Sequence, residues 1–232
     1  MKPHSYFVII PTAGIGTRLS AEIPKQYLPI LGKPIIEHTL NCFINYAAIE
    51  KIMVVLRQDD QHWPHLKLAQ HSKIITTLGG AERFHSVLNG LTALEQYAQP
   101  LDWVLIHDAV RPCLQPQDIA QLITTLSDHP VGGLLGSPVT NTLKRIGQNN
   151  EIIATVDRQE LWQAFSPQMF RFGVLKKALQ SIIANNQVVT DDAAAVELAG
   201  YKPIMVQGRT DNIKITQPLD LALAEFYLSH AT

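Results

Sequence analysis

Short runs of β-branched and aliphatic residues alternate along this chain with segments of helical period, and that alternation limits the fold more than any other feature. It is the pattern of βαβ units, whose crossover helices impose a mostly parallel sheet. Tyr6 to Pro11 reads as the first strand, and Pro34 opens a helix running to about Asn45. Lys51 to Leu56 and Lys73 to Leu78 give two more strands, and Trp103 to His107 a fourth. Between Glu82 and Tyr97, the residues Phe84, Val87, Leu88, Leu91 and Leu94 fall on one helical face, so this helix covers the sheet. Gln117 to Leu126 continues as helix, and the Gly-rich run Val131 to Ser137 as strand.

The rhythm then breaks. Val139 to Ile146 and Ile152 to Val156 flank the turn-like Gly147-Gln148-Asn149-Asn150, a hairpin with nothing obvious to cover it. It reads either as an ordinary surface hairpin or as an arm projecting from the main body. Beyond it, Gly173 to Asn185 and Asp191 to Ala199 are helical and Lys202 to Val206 is a strand. Leu219, Ala222, Leu223, Phe226 and Tyr227 mark a closing amphipathic helix. Neither repeat nor linker interrupts the order, so one α/β domain with an inserted arm at about 138–158 is expected.

With 46% hydrophobic and 17% charged residues over 232 positions, the chain can bury a sizeable core. Its 19 Lys and Arg against 20 Asp and Glu leave a net charge of −1, which supplies no field to draw it onto nucleic acid or an anionic membrane. Any phosphate it binds is therefore held by a local site. Cys42 and Cys113 have neither metal-ligand nor redox-motif spacing, and two free thiols fit a reducing cytoplasm. The first strand begins without the features of a signal peptide, and no apolar run reaches membrane-spanning length. His62 and His65 flank Trp63-Pro64 without a third ligand, which reads as a surface turn rather than a metal site.

The first strand empties into Pro11-Thr12-Ala13-Gly14-Ile15-Gly16-Thr17-Arg18-Leu19, with Pro24-Lys25-Gln26 soon after. Glycines there let backbone N–H groups close around an anion. A P-loop would need the missing Gly-Lys-Ser/Thr ending. A dinucleotide site would need a small residue at Leu19 and an acid after the second strand, where Leu56-Arg57-Gln58 stands; Arg57 leaves NADP formally open. A nucleotidyltransferase fits better, because Arg18 and Lys25 offset charge gathering on a triphosphate under attack.

Further on stand Gly79-Gly80-Ala81-Glu82-Arg83-Phe84-His85-Ser86-Val87, His107-Asp108-Ala109-Val110-Arg111-Pro112, Thr155-Val156-Asp157-Arg158, Ser166-Pro167-Gln168 and Gly208-Arg209-Thr210-Asp211-Asn212-Ile213-Lys214-Ile215-Thr216. With the glycine loop, and in this order over nearly the whole length, they resemble the 2-C-methyl-D-erythritol 4-phosphate cytidylyltransferases of the non-mevalonate isoprenoid pathway. The resemblance implies a single Rossmann-like nucleotidyltransferase domain over 1–232. The implied reaction moves CMP from CTP to methylerythritol phosphate and releases pyrophosphate.

Residue by residue, the resemblance implies that Arg18 and Lys25 stabilise the α-phosphate. Ala13, Gly14, Gly16, Gly80, Ala81, Arg83, Ser86 and Ala109 surround the nucleotide. Asp108 and Asp211 hold Mg²⁺, a role that suits a carboxylate at the end of a parallel strand; either could instead be a turn cap. Arg111 serves the same pocket or braces the loop before Pro112. The hairpin becomes an arm exchanged within a homodimer, carrying Thr142 and Arg158 to the neighbour's site, while Lys214 orients the acceptor. Two positions depart from the family: Ala81, where a relative carries an acid, and Ser166, where threonine is common. The other readings are a cytidylyltransferase for another polyol phosphate such as ribitol 5-phosphate, a non-catalytic nucleotide-binding module and, more distantly, an NADP oxidoreductase.

Overall fold

In the computed structural model, which describes residues 4–14 and 23–230, the chain runs β1 (Tyr6–Pro11), a short hairpin of β2 (Pro29–Ile30) and β3 (Lys33–Pro34), α1 (Ile35–Ile44), β4 (Ile49–Leu56), β5 (Ile74–Leu78), α2 (Arg83–Leu94), β6 (Trp103–Ile106) and α3 (Pro116–Leu126). It continues through β7 (Gly132–Pro138), β8 (Leu143–Ile146), β9 (Ile152–Val156), β10 (Trp162–Arg171), α4 (Phe172–Ala184), α5 (Asp192–Leu198), β11 (Ile204–Gln207) and α6 (Pro218–Ser229). Seven strands form one sheet in the order β11-β7-β10-β6-β1-β4-β5. All the pairings are parallel except those of β10, which runs antiparallel to both β6 and β7.

Alternation along β1 divides the core into two layers. Phe7 and Ile9 face α2, α4 and α5, while Val8 and Ile10 face α1 and α3. Because both faces are covered, the central strands are continuously apolar, which is why they were readable as runs. The Gly-rich β7 owes its composition to crowding. A Cβ on Gly132, whose φ is +132°, would stand 2.1 Å from the Met169 carbonyl oxygen of the neighbouring strand, so only glycine fits.

Two expectations change. No strand was expected from Trp162 to Arg171. The structure spans it with β10, whose register against β7 slips between Ala164 and Gln168, so Pro167 lies in the irregular stretch where it costs the ladder no paired N–H. The closing helix exists as α6, but Leu219, Leu223 and Phe226 are exposed, and Leu221, Ala224, Tyr227 and Leu228 face inward. This helix is apolar nearly all round, so periodicity could not choose its buried face. The 3₁₀ turn Trp63–His65 buries Trp63 and stacks His62 on Tyr27, a packing role in keeping with a turn.

Past Pro138, paired with Trp162, the β7–β10 ladder hands over to a separate two-stranded ribbon, β8–β9. The hairpin thus extends from the ends of two interior strands, and its first strand is shorter than expected.

Candidate active site

Parallel strands present the loops at their C-terminal ends together, and here they enclose a cleft of about 350 Å³. Its walls are Thr12, Ala13 and Gly14 after β1, Lys25 and Gln26, Gly80 to Arg83 and Ser86 at the start of α2, Asp108 to Val110 after β6, and Lys214. Of the residues expected at the site, Ala13, Gly14, Lys25, Gly80, Ala81, Arg83, Ser86, Asp108, Ala109 and Lys214 are therefore brought together. Gly16 and Arg18 lie outside the described residues.

Hydrogen bonds anchor the described part of the loop after β1 and the loop after β5. Thr12 donates through Oγ1 to the Val55 carbonyl at 2.7 Å, and Gln26 donates through Nε2 to the Thr12 carbonyl at 3.1 Å. The Gly80 N–H donates to Ser86 Oγ at 3.1 Å, and that hydroxyl donates onward to the Glu82 carbonyl at 3.2 Å. Ser86 thus shapes the loop as well as lining the cleft. A Cβ at Gly79 would meet that of Ala13 at 2.5 Å, so glycine lets the loops after β1 and β5 touch.

Asp108 gathers three cations. Its carboxylate stands 2.9 Å from Lys214 Nζ, 3.5 Å from Arg111 Nε and 3.6 Å from Arg83 Nη2. Burial alone would raise its pKa, but Arg83, Lys214 and Arg111 together outweigh burial and hold the carboxyl far below the usual range. Asp108 is therefore a committed anion. Arg111 donates through Nη1 to the Asn212 carbonyl at 2.6 Å and stacks over Phe165, so it braces the loop.

Beneath Asp108 lies a buried polar relay that sequence reading did not assign. The Asp108 N–H donates to Ser166 Oγ at 3.1 Å, and Ser166 Oγ lies 2.9 Å from Nδ1 of His107. Nε2 of His107 lies 3.1 Å from the Arg111 carbonyl, a pure acceptor. Those partners fix the tautomer: Nε2 carries the proton and Nδ1 accepts from Ser166. Burial lowers the His107 pKa to about 4, so the ring stays neutral as the relay requires. Asn212 closes the assembly by donating to the Ser166 carbonyl at 2.8 Å. The irregular stretch of β10 delivers Ser166 to this spot.

Three expected residues are not among the cleft's walls. Asp211 is bound through both carboxylate oxygens by Arg209. Thr142 precedes β8 and Arg158 follows β9; both are exposed, and Arg158 donates to the Thr140 carbonyl of its own ribbon. Among the described residues no group of three or more His, Cys, Asp or Glu could hold a metal ion. A divalent cation still fits Asp108 if the substrate's phosphates and water supply its other ligands, as is usual for Mg²⁺.

Asp192 also escaped sequence reading. The pair Asp191-Asp192 looks like an ordinary helix cap, and Asp191 does cap α5 by accepting from the Ala194 N–H at 2.9 Å. That leaves Asp192 surplus to capping, and the surplus was the available signal. Its buried carboxylate faces Arg83 at 2.8 Å.

Comparison with known proteins bears directly on this geometry. The family model described as 2-C-methyl-D-erythritol 4-phosphate cytidylyltransferase matches residues 6–230. The enzyme of that name from Vibrio vulnificus is 48% identical over 225 residues, covering 97% of this chain and 95% of its own. That from Pseudomonas entomophila is 47% identical over 218 residues, covering 94% and 93%. The crystal structure of the Francisella tularensis enzyme superposes with a TM-score of 0.85 at 37% identity, over 96% of this chain and 99% of that one. On the match along 6–230 and the close relatives, this chain belongs to the 2-C-methyl-D-erythritol 4-phosphate cytidylyltransferase family.

Proposed function

We propose that the cleft carries out the reaction of that family by holding CTP across the two glycine loops and admitting 2-C-methyl-D-erythritol 4-phosphate beside Lys214. An oxygen of the acceptor's phosphate forms a bond to the α-phosphorus of CTP. The bond from that phosphorus to the bridging oxygen breaks, and its electron pair leaves with pyrophosphate. The products are 4-diphosphocytidyl-2-C-methyl-D-erythritol and pyrophosphate. A phosphate monoester dianion is already nucleophilic, so no general base is needed. The neutral, fully buried His107 suits a structural role and is no candidate for one.

The observation that carries this reading is the convergence of Lys25, Arg83, Asp108 and Lys214 with both glycine loops on one cleft. Lys25, joined by Arg18, would stabilise the charge that builds on the α-phosphate. Lys214 pairs with Asp108 and would turn to the acceptor's phosphate. Asp108 would then hold a divalent cation, with Mg²⁺ the natural choice; such an ion neutralises triphosphate charge and orients it for in-line attack. Asp211 would join it only by leaving Arg209.

Thr142 and Arg158 would act across a homodimer of exchanged arms, reaching the acceptor in the neighbour's cleft. The support is the ribbon's surface: Ile152 and Ile153 alternate faces along β9, yet they are 65% and 64% exposed, so both faces await cover. We also assign the enzyme to the cytoplasm, consistent with two free thiols whose pKa values burial pushes up to about 12. No helix among the described residues is long and apolar enough to cross a membrane.

The test is pyrophosphate release from CTP with methylerythritol 4-phosphate or ribitol 5-phosphate, each with Mg²⁺ and with EDTA. Metal-dependent turnover confined to methylerythritol phosphate is expected. Turnover with ribitol phosphate alone would reassign the acceptor, and silence with both would leave a nucleotide-binding module.

A further inference from the structure

Arg83 opens α2, where the positive end of the helix dipole disfavours a cation, so something must hold it there. Two carboxylates do. Asp108 stands 3.6 Å from Nη2, and Asp192 stands 2.8 Å from Nη1. Burial would lower the Arg83 pKa, but these two charges outweigh burial and raise it.

The two partners differ in freedom. The Asp108 side chain is 15% exposed and is shared with Lys214 and Arg111, so it can exchange partners. That of Asp192 is 1% exposed. Among the described residues its counter-charge is Arg83, whose Nη1 stands 2.8 Å away. Its position is fixed as well. Asp192 begins α5, and Gln168 of β10 clamps that first turn by donating to Asp191 Oδ2 and accepting from the Ala193 N–H, both at 2.8 Å. A buried anion on a clamped turn, with one counter-charge, holds that charge more firmly than an anion at a cleft mouth with three.

We infer that Asp192 is a positioning residue for nucleotide binding: from behind the cleft it keeps the Arg83 guanidinium beside the Gly80 loop whatever Asp108 binds. This rests on the reading of the cleft as the CTP site. Without the Asp192 charge, Arg83 falls to Asp108, withdraws from the nucleotide and crowds the carboxylate that the reaction needs.

The test is a double-mutant cycle of Asp192→Asn and Arg83→Gln, read by calorimetric titration of CTP with Mg²⁺ and no acceptor, alongside steady-state kinetics. Asp192→Asn should weaken CTP binding about tenfold, the scale of one charge-assisted hydrogen bond. In the Arg83→Gln background the same change should cost less than about twofold. The KM for CTP should rise while kcat at saturating CTP stays within about threefold, a split that general damage to the fold would not give. Asp192→Ser is carried through the same cycle, so that poor folding of one variant does not decide the outcome. Unchanged CTP affinity, or equal losses in both backgrounds, would overturn the inference. Failure of the unaltered protein to bind CTP would instead overturn the reading of the cleft and this inference with it.

Discussion

The cleft and the arm are both extensions of the same sheet, yet they are built in opposite ways. At the cleft, three charged groups are tied to buried structure: Asp108 rests on the Ser166–His107 relay, Arg83 on Asp192, and Arg111 on the Asn212 carbonyl. On the arm, Arg158 donates to the Thr140 carbonyl of its own ribbon, and Ile146, Ile152 and Ile153 are exposed. Preorganised charge needs a rigid, desolvated frame, which one chain supplies at the cleft we propose for the nucleotide. The arm lacks that frame, which is why we propose that the acceptor's half of the chemistry is completed by assembly.

Lys25→Ala tests the rigid half most severely. Removing a cation that stabilises transition-state charge costs on the order of 10² to 10³ in rate, so kcat should collapse while thermal unfolding changes little. Near-normal turnover in a stopped assay of pyrophosphate release would remove Lys25 from the chemistry.

His107→Gln tests the frame beneath. Gln keeps an N–H for the Arg111 carbonyl but gives Ser166 no ring acceptor. In the unaltered protein the folded His107 takes up its proton near pH 4 and the unfolded one near 6.5. The unfolded state therefore binds more protons between those values, and stability is lost as pH falls from about 6.5 to about 4. The full loss is about 3 kcal/mol. Asp108, with its depressed pKa, contributes below that window, and Asp192, with its raised pKa, gives a slope of opposite sign that the variant retains. Urea midpoints across this range should fall less steeply in His107→Gln, and parallel curves would show that the ring is not held neutral.

These contrasts also mark what sequence could disclose. Strands β1, β4 and β6 were legible because burial on both faces leaves apolar runs, and most of the cleft followed, since parallel strands deliver the loops after them to one end. What was hidden depended on partners distant in the chain. Strand β10 was not anticipated, and its irregular pairing with β7 is what makes room for Pro167. Asp192 looked like half of a cap, and its significance lies in Arg83, more than a hundred residues earlier. Leu219, Leu223 and Phe226 sat on a plausible inner face, but α6 had apolar residues to spare and turned another way. Arg209 could not be anticipated as the partner that occupies Asp211.

Arg158→Ala moves the comparison to the arm. A guanidinium lost from a phosphate should cost about 2 kcal/mol, so the KM for the acceptor should rise by about thirtyfold while that for CTP changes little. Equal effects on both substrates would argue that the arm does not serve the acceptor.

The smallest effect should come from the ribbon's surface. Ile153 is 64% exposed in the single chain, and covering it with a neighbour's arm would return about 1 kcal/mol per site of burial. Ile153→Ser should therefore weaken dimerisation by about thirtyfold in sedimentation equilibrium, since the interface repeats the contact by symmetry. CTP affinity, set within one chain, should be unaffected. The acceptor KM should rise only at dilutions where the dimer dissociates, and adding concentrated protein of a Lys25→Ala variant, whose arm is intact, should lower it again. A dilution-independent KM in both proteins would place the acceptor's contacts within a single chain and remove the distinction between the two regions.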